Sequence, residues 1–338
     1  MKGKIGNLEP KKLDDSSKKS FKIRTITALV GLIIIVPCIL FGDWAMFALA
    51  FAILSISLYE LVKCSNEKFS PWLYVGVIII GLLICYWPIF RKLINNSING
   101  VPSTWAIWSY FDTMYLSLIL IFIGVFILFL LVVLKENFTV RDACFLFTMT
   151  VVIAIGLQSI LFVRYYPSIV LRKEGTVLPA SINIFDNLEA STLCIYVMFS
   201  TIMTDTGAYL VGMFFGRHKI NERISPKKTT EGYFGGIIIS AVLSSILALI
   251  FAATNHPILI GVFDLNHWYL IIILSICLPF VGALGDFIFS SIKRFYNIKD
   301  FGKILPGHGG ILDRLDSLTF TFIFTAIFIS FATGNYLI

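Results

Sequence analysis

The feature that most constrains this chain is a series of long apolar stretches that contain almost no charged residues. A helix needs roughly 20 consecutive apolar residues to cross the hydrocarbon core of a bilayer. We interpret nine segments as transmembrane spans: 26–42, 44–62, 71–90, 114–134, 143–163, 190–215, 233–254, 268–290 and 317–336. With 57% hydrophobic and 14% charged residues, little sequence remains for a separate water-soluble domain. The sequence therefore predicts an all-α, polytopic integral membrane protein with about nine transmembrane helices.

The same composition excludes a disordered chain, an ordinary soluble enzyme and a secreted disulfide scaffold. The six cysteines form no CxxC pair and show no regular spacing, so we predict neither zinc binding nor disulfides. The polar segment 1–25 carries eight Lys or Arg residues ahead of the first apolar stretch. A signal peptide is the competing interpretation, but no small-residue cleavage site follows, and we expect the first span to be retained.

The distribution of basic residues predicts the orientation, because Lys and Arg favour cytoplasmic segments. With the N-terminus cytoplasmic, the inside segments hold 22 of the 27 basic residues and the outside segments hold 5. The inside segments are 1–25, 63–70, 135–142, 216–232 and 291–316. The net charge of +7 thus reflects topology, and we predict no nucleic-acid partner.

The chain divides into three parts. Residues 1–25 are expected to form a basic cytoplasmic arm, and 26–189 the N-terminal transmembrane helices. Residues 190–338 are expected to form the C-terminal transmembrane catalytic region, because the informative polar residues lie there.

The first polar cluster is centred on Asp205, well inside the segment 190–215. A carboxylate at membrane depth is costly, which favours a functional residue that faces a cavity or a partner. An Asp that pairs with a neighbouring helix for packing is the competing explanation. Ala208, Gly212 and Gly216 recur every four residues and predict close helix packing along one face.

The second cluster is the inside segment 216–232 with its following glycines. It brings five basic residues together with hydroxyl side chains ahead of the seventh span, a composition suited to phosphate. The candidate phosphate-binding residues are Ser225, Lys227, Lys228 and Thr229. An ordinary basic cytoplasmic loop is the competing explanation. No GxxxxGK[ST] sequence occurs, so an ATPase loses its main support.

The third cluster joins the inner ends of the last two spans. Helical spacing places Asp286, Ser290 and Lys293 along one stripe, and Asp313 and Asp316 on one face. Carboxylates close to several cations suit a hard divalent metal and a polyphosphate together. His308, between glycines, is either a phosphate donor or a loop residue without a role. The polar residues here are Asp286, Ser290, Lys293, Arg294, Lys299, Asp300, His308, Asp313, Arg314 and Asp316.

The run over 290–316, S-S-I-K-R-x4-K-D-F-G-K-I-L-P-G-H-G-G-I-L-D-R-L-D, resembles the signature of the phosphatidate cytidylyltransferase (CDP-diacylglycerol synthase) family. The blocks 205–209, 215–219 and 225–229, with the glycines after them, resemble other blocks of that family. The resemblance is specific over about 190–330. Two positions depart from the family pattern: Thr230 stands where Trp is usual, and Phe289 where an acidic residue is frequent.

The resemblance implies transfer of CMP from CTP to phosphatidate, which gives CDP-diacylglycerol and pyrophosphate for phospholipid synthesis. It also implies a homodimer. We expect the protein in the cell (plasma) membrane, and the charge bias puts the active site on the cytoplasmic side, where CTP is found. We expect Mg²⁺ as the cofactor, held by Asp286 and Asp313, with Asp316 a weaker candidate. The expected catalytic residues are Asp286, Asp313, Lys293, Arg294 and Asp205, and the expected substrate-binding residues are Ser225, Lys227, Lys228, Thr229, Lys299, His308 and Arg314.

Two other functions compete with this one. An ion-coupled transporter would place functional intramembrane carboxylates in two related halves, whereas the clusters described above all lie in the second half. A lipid kinase that uses CTP would share metal-binding and phosphate-binding features.

Overall fold

The computed structural model of this protein is a helical bundle with one small sheet. It describes the backbone of residues 15–65, 69–97, 105–173, 184–254 and 256–333, and the side chains of 22–42, 44–65, 69–87, 119–167, 191–254 and 256–333. Within these residues the helices are α1 Asp15–Phe41, α2 Asp43–Cys64, α3 Pro71–Ser97, α4 Trp105–Leu134, α5 Val140–Lys173, α6 Ile184–Phe215, α7 Thr230–Ala253, α8 Trp268–Phe295 and α9 Leu312–Ala332. The strands are β1 Lys219–Asn221 and β2 Ser225–Thr229, which pair antiparallel.

The prediction of an all-α polytopic membrane protein is confirmed. Seven helices in the described part of the chain are long and apolar enough to cross a membrane, and α3 and α4 contain the shorter apolar segments Pro71–Trp87 and Ile119–Leu134. Nine crossings, and the division at residue 190, stay predictions. Most of the basic arm, and residues 98–104 and 174–183, lie outside the described residues.

Several helix boundaries differ from the hydropathy segments. The helix α9 begins at Leu312, five residues before the predicted span, and α7 begins three residues early at Thr230. Hydropathy detects the membrane core, whereas acidic side chains such as Asp313 are favourable in the first turn of a helix, where they complement its dipole. The hairpin of β1 and β2 was not predicted. Gly42 alone separates α1 from α2 and has φ of 66°.

The small-residue face of α6 packs against glycines of α7, as the four-residue spacing predicts. A Cβ atom added at Gly236 would stand 2.7 Å from the backbone nitrogen of Ala208, and one at Gly232 would stand 3.0 Å from the Cα of Gly212. The backbones of the two helices can approach this closely only because these positions lack side chains. This packing fixes β2, which directly precedes α7, beside the inner half of α6.

The described residues of the five predicted inside segments lie at one end of the bundle. Each segment is linked to another by a side-chain contact or a close backbone approach between described residues. The links are Arg24 with Gly307, Phe69 with Phe138, Arg141 with Phe295, and Arg294 with Ile224. The described basic residues assigned to the cytoplasm from their sequence position are therefore also neighbours in space.

Candidate active site

The centre of the candidate site is an ion pair between Lys228 on β2 and Asp286 on α8. Ser290, one helical turn further along α8, donates from Oγ to Asp286 Oδ1 at 3.4 Å. Because side chains alternate along a strand, the neighbouring Lys227 points away and is exposed. The structure thus joins the second and third sequence clusters through Lys228.

Two further carboxylates act on the same lysine. Asp205 of α6 and Asp316 of α9 both lie within electrostatic reach of Lys228. Burial lowers the pKa of Lys228, and the attraction of these two carboxylates opposes that shift. The first cluster therefore lies close to the other two, and four helices or strands each supply one charged group.

Asp313 has different surroundings and is only 6% exposed. Its Oδ1 accepts from Lys293 Nζ at 3.0 Å, and its Oδ2 accepts from the backbone N–H groups of Phe301 at 2.8 Å and Gly310 at 3.0 Å. Lys293 Nζ also lies 3.9 Å from Asp316 Oδ2. Asp313 therefore holds the loop between α8 and α9 in shape while it neutralises a buried lysine.

Glu60 of α2 supports the same loop and was not predicted from the sequence. It is 2% exposed, and its carboxyl group accepts from the backbone N–H groups of Ile311 at 3.2 Å and Leu312 at 2.9 Å. A Cβ atom at Gly302 or Gly310 would collide with this carboxyl group. The sequence does show an acidic residue near the inner end of the second span. No feature of the neighbouring sequence, however, relates Glu60 to a loop 251 residues away.

The hairpin is held in place by backbone contacts of the predicted residues. Arg294 donates from Nε to the carbonyl of Ile224 at 3.1 Å. Thr229 caps α7, since its Oγ1 accepts from Gly232 N at 3.2 Å, and Ser225 begins β2. Arg294 and Thr229 therefore have positioning contacts here, whereas Lys228 is the hairpin residue that reaches the carboxylates.

Three other predicted residues, Lys299, His308 and Arg314, lie together around a separate cavity of about 630 Å³. Arg314 also lies within electrostatic reach of Asp205 and Asp316, so this cavity adjoins the ion-pair cluster. The site consequently has two compartments, one rich in carboxylates and one rich in cations.

The two departures from the family pattern have clear local settings. Thr230 donates from Oγ1 to Glu231 Oε2 at 3.2 Å, and its backbone N–H donates to the carbonyl of His218 at 2.9 Å. Phe289 is fully buried, and its ring packs edge-on against those of Phe301 and Phe320. An acidic side chain at position 289 would be buried among aromatic rings, which is unfavourable.

The expected metal ligands fit a divalent cation unequally. No group of three His, Cys, Asp or Glu side chains in the described part of the chain is arranged to hold an ion. Asp313 already accepts three hydrogen bonds and is nearly inaccessible, whereas Asp286 and Asp316 are partly exposed and face ammonium groups. Carboxylate oxygens around the ammonium group of Lys228 are the donors that Mg²⁺ prefers, so the chemistry fits at Asp286 and Asp316.

Comparison with known proteins identifies relatives over nearly the whole chain. Residues 22–332 match the model of the cytidylyltransferase family. A phosphatidate cytidylyltransferase of Staphylococcus saprophyticus is 33% identical over 304 residues, which cover 88% of this chain and 95% of the relative. Proteins of the same name from Staphylococcus haemolyticus and Staphylococcus aureus are 31% and 32% identical, with the same coverage. These comparisons do not support the transporter or the lipid kinase.

Proposed function

Since this chain belongs to the cytidylyltransferase family, and is a nucleotidyltransferase of the membrane, we propose that it transfers CMP from CTP to phosphatidate. The observation that carries the proposal is the meeting of Lys228, Asp286, Asp205 and Asp316 at the end of the bundle where the basic segments converge. Three carboxylates around one lysine suit a divalent cation that accompanies a polyanionic nucleotide, and the neighbouring basic residues suit its phosphates.

In the proposed reaction an oxygen of the lipid phosphate attacks the α-phosphorus of CTP. A new phosphorus–oxygen bond forms as the bond from the α-phosphorus to the bridging oxygen of the β-phosphate breaks, and pyrophosphate leaves. Because the lipid phosphate is already a nucleophile, no Ser, Cys or His needs to form a covalent intermediate. The protein must place two mutually repelling phosphate groups in line and neutralise their charge.

The described contacts support a division of roles among the predicted residues. Lys228, on the hairpin and partly exposed, is suited to donate to the phosphates of CTP, as is the exposed Lys227 beside it. Lys293 is buried between Asp313 and Asp316, which suits it to hold those carboxylates in position. Arg294 orients the hairpin through the carbonyl of Ile224.

We propose Mg²⁺ as the cofactor, held by Asp286 and Asp316 in the cluster that includes Asp205. When bound, it would offset negative charge on the phosphate oxygens of CTP. Lys228, which pairs with Asp286, would be free to donate to phosphate once Asp286 holds the cation, and Asp313 keeps the loop around Gly310 in shape.

The location of the reaction is part of the proposal. A bias of 22 to 5 basic residues supports a site on the cytoplasmic side, where CTP is found, and we place the protein in the plasma membrane. The homodimer implied by the resemblance is likewise proposed, and the mass of the purified protein in detergent would test it.

The decisive experiment is an omission assay with the purified full-length protein. Pyrophosphate release should require CTP, phosphatidate and Mg²⁺ together, and CDP-diacylglycerol should accumulate in equal amount. Release that continues without phosphatidate, or a phosphorylated lipid product with CDP, would contradict the proposed reaction.

A further inference from the structure

The basic cavity beside the ion-pair cluster includes residues from outside the motif blocks. It lies where α1 meets the loop between α8 and α9, and four cationic side chains and one carboxylate line it. The polar side chains around it are Arg24, Lys299, Asp300, Lys303, His308 and Arg314. Such an excess of positive charge around a cavity favours an anionic ligand with several oxygen atoms.

Arg24 is held at this cavity by contacts between the first and last parts of the chain. Thr27, on the next turn of α1, donates from Oγ1 to the carbonyl oxygen of Pro306 at 3.0 Å. Gly307 has φ of 76°, and a Cβ atom there would stand 2.8 Å from Cγ of Arg24. The helix therefore lies directly against the glycine turn, which fixes the backbone that carries Arg24.

His308 provides a second indication of a ligand. Its Nδ1 atom is buried and has no hydrogen-bond partner among the described residues. Arg314 donates from Nη2 to the carbonyl oxygen of His308 at 2.8 Å, which holds the loop in this shape. A buried ring nitrogen without a partner costs free energy, and a protonated ligand oxygen or a ligand acceptor would relieve that cost.

The depth of the cavity distinguishes a lipid from a soluble nucleotide. Arg24 lies two residues before the apolar segment 26–42 interpreted as the first span, a position that corresponds to the headgroup level of a bilayer. Apolar side chains beyond it are open to the lipid, with Ile26 50% and Leu29 54% exposed. A ligand with a phosphate group and acyl chains would match both the cations and this apolar surface of α1.

We propose that this cavity binds the phosphomonoester of phosphatidate and that Arg24 of α1 is a lipid-binding residue. The inference rests on the proposed function and deepens it, because it separates the two substrates. The lipid phosphate occupies the cationic compartment, while the nucleotide occupies the compartment of Lys228 and Asp286. Arg314, which borders both, lies where the two phosphate groups must meet.

The test compares Arg24→Ala with Lys22→Ala in the full-length protein. Lys22 is also exposed and basic, and it lies on the same helix outside the cavity lining. In detergent micelles with a varied mole fraction of phosphatidate, Arg24→Ala should raise the KM for phosphatidate about tenfold. Its KM for CTP should change less than about twofold, and Lys22→Ala should leave both close to wild type.

Several outcomes would overturn the assignment. An equal effect of the two variants would indicate only a general surface charge, and a selective rise in the KM for CTP would make the cavity a nucleotide site. No change in either KM would mean that Arg24 contacts no substrate. If Arg24→Ala does not fold, Arg24→Lys and Lys303→Ala provide the same comparison, each with a smaller expected rise for phosphatidate.

A binding measurement separates this inference from the proposed function. Native mass spectrometry of the wild-type protein should detect phosphatidate but not diacylglycerol with the same acyl chains, and inorganic phosphate should compete weakly. Arg24→Ala should lose phosphatidate binding by a similar factor. If the omission assay fails while phosphatidate still binds in an Arg24-dependent way, the proposed transferase activity is wrong and the lipid-binding site stands. If the protein turns over CTP and phosphatidate but Arg24→Ala binds phosphatidate as wild type does, only the proposed lipid-binding site is wrong.

Discussion

Asp286 and Asp313 belong to the same motif-rich region, yet their surroundings differ. Asp313 is buried, and two backbone N–H groups and Lys293 saturate its oxygens. Asp286 is partly exposed and faces the ammonium group of Lys228. Hydrogen bonds from backbone groups fix a loop permanently, whereas a pair of side chains near the surface can exchange partners with a ligand. The comparison separates a carboxylate that maintains the site from one that can act in it.

The largest expected effect comes from the buried carboxylate. Asp313→Asn removes the negative partner of the buried Lys293, which should lower the free energy of unfolding by about 3–5 kcal/mol. Denaturation of the protein in detergent would measure this loss, and activity should fall with it. Adding Lys293→Met should recover part of the stability but not the activity. If the Asp313→Asn protein is instead as stable as wild type but inactive, Asp313 acts directly on the substrate or the metal.

The next effect is expected at Asp286, the more accessible of the two carboxylates, whose side chain is 17% exposed. Asp286→Asn should lower kcat about a hundredfold, because it removes charge from the site where the phosphates and Mg²⁺ are proposed to bind. Unfolding should change by less than about 1 kcal/mol, since the partner Lys228 is partly open to solvent. The matched control is Asp264→Asn, because Asp264 is an acidic residue that pairs with His267 away from the site. Activity near that of wild type would remove Asp286 from the mechanism.

A smaller effect is expected where the first half of the chain supports the loop. Glu60→Gln replaces one acceptor oxygen by an NH₂ group that opposes the N–H of Ile311 or Leu312. The loss of such a buried hydrogen bond should cost about 1–3 kcal/mol of stability. Thermal unfolding in detergent would measure this loss of stability. The KM for CTP of the folded variant should stay close to that of wild type. Unchanged stability would show that Glu60 does not hold α9.

The smallest effect is expected at the edge of the hairpin. Arg294→Lys keeps the charge but loses the guanidinium geometry that reaches the carbonyl oxygens of Ile224 and Ile298. Because this contact is exposed, the KM for CTP should rise only about two- to fivefold. Steady-state kinetics with varied CTP would measure it, with Arg223→Lys in the turn between β1 and β2 as the control. A drop in kcat alone would point to a role nearer the chemistry.

Much of the site was predictable, because its residues are unusual for their places in the chain. Asp205 and Asp286 stand out against apolar spans, and Lys228 stands in a motif between glycines. The hairpin was not predictable in the same way, because its two short strands have little sequence signal of their own. Glu60 was the least predictable, since one acidic residue near the end of a span is compatible with simple exposure to water.

The sequence alone was sufficient for the membrane architecture, for the gathering of basic residues in a few segments and for the motif blocks of the family. These properties depend on local composition, and the hydrophobic effect and the cost of buried charge act on each segment separately. Only the tertiary structure decided which carboxylates support the loop and which remain partly exposed beside a lysine. It also brought Glu60 and Arg24 to residues more than 250 positions away. Those contacts depend on how helices pack, because hydrogen bonding and burial are properties of neighbours in space.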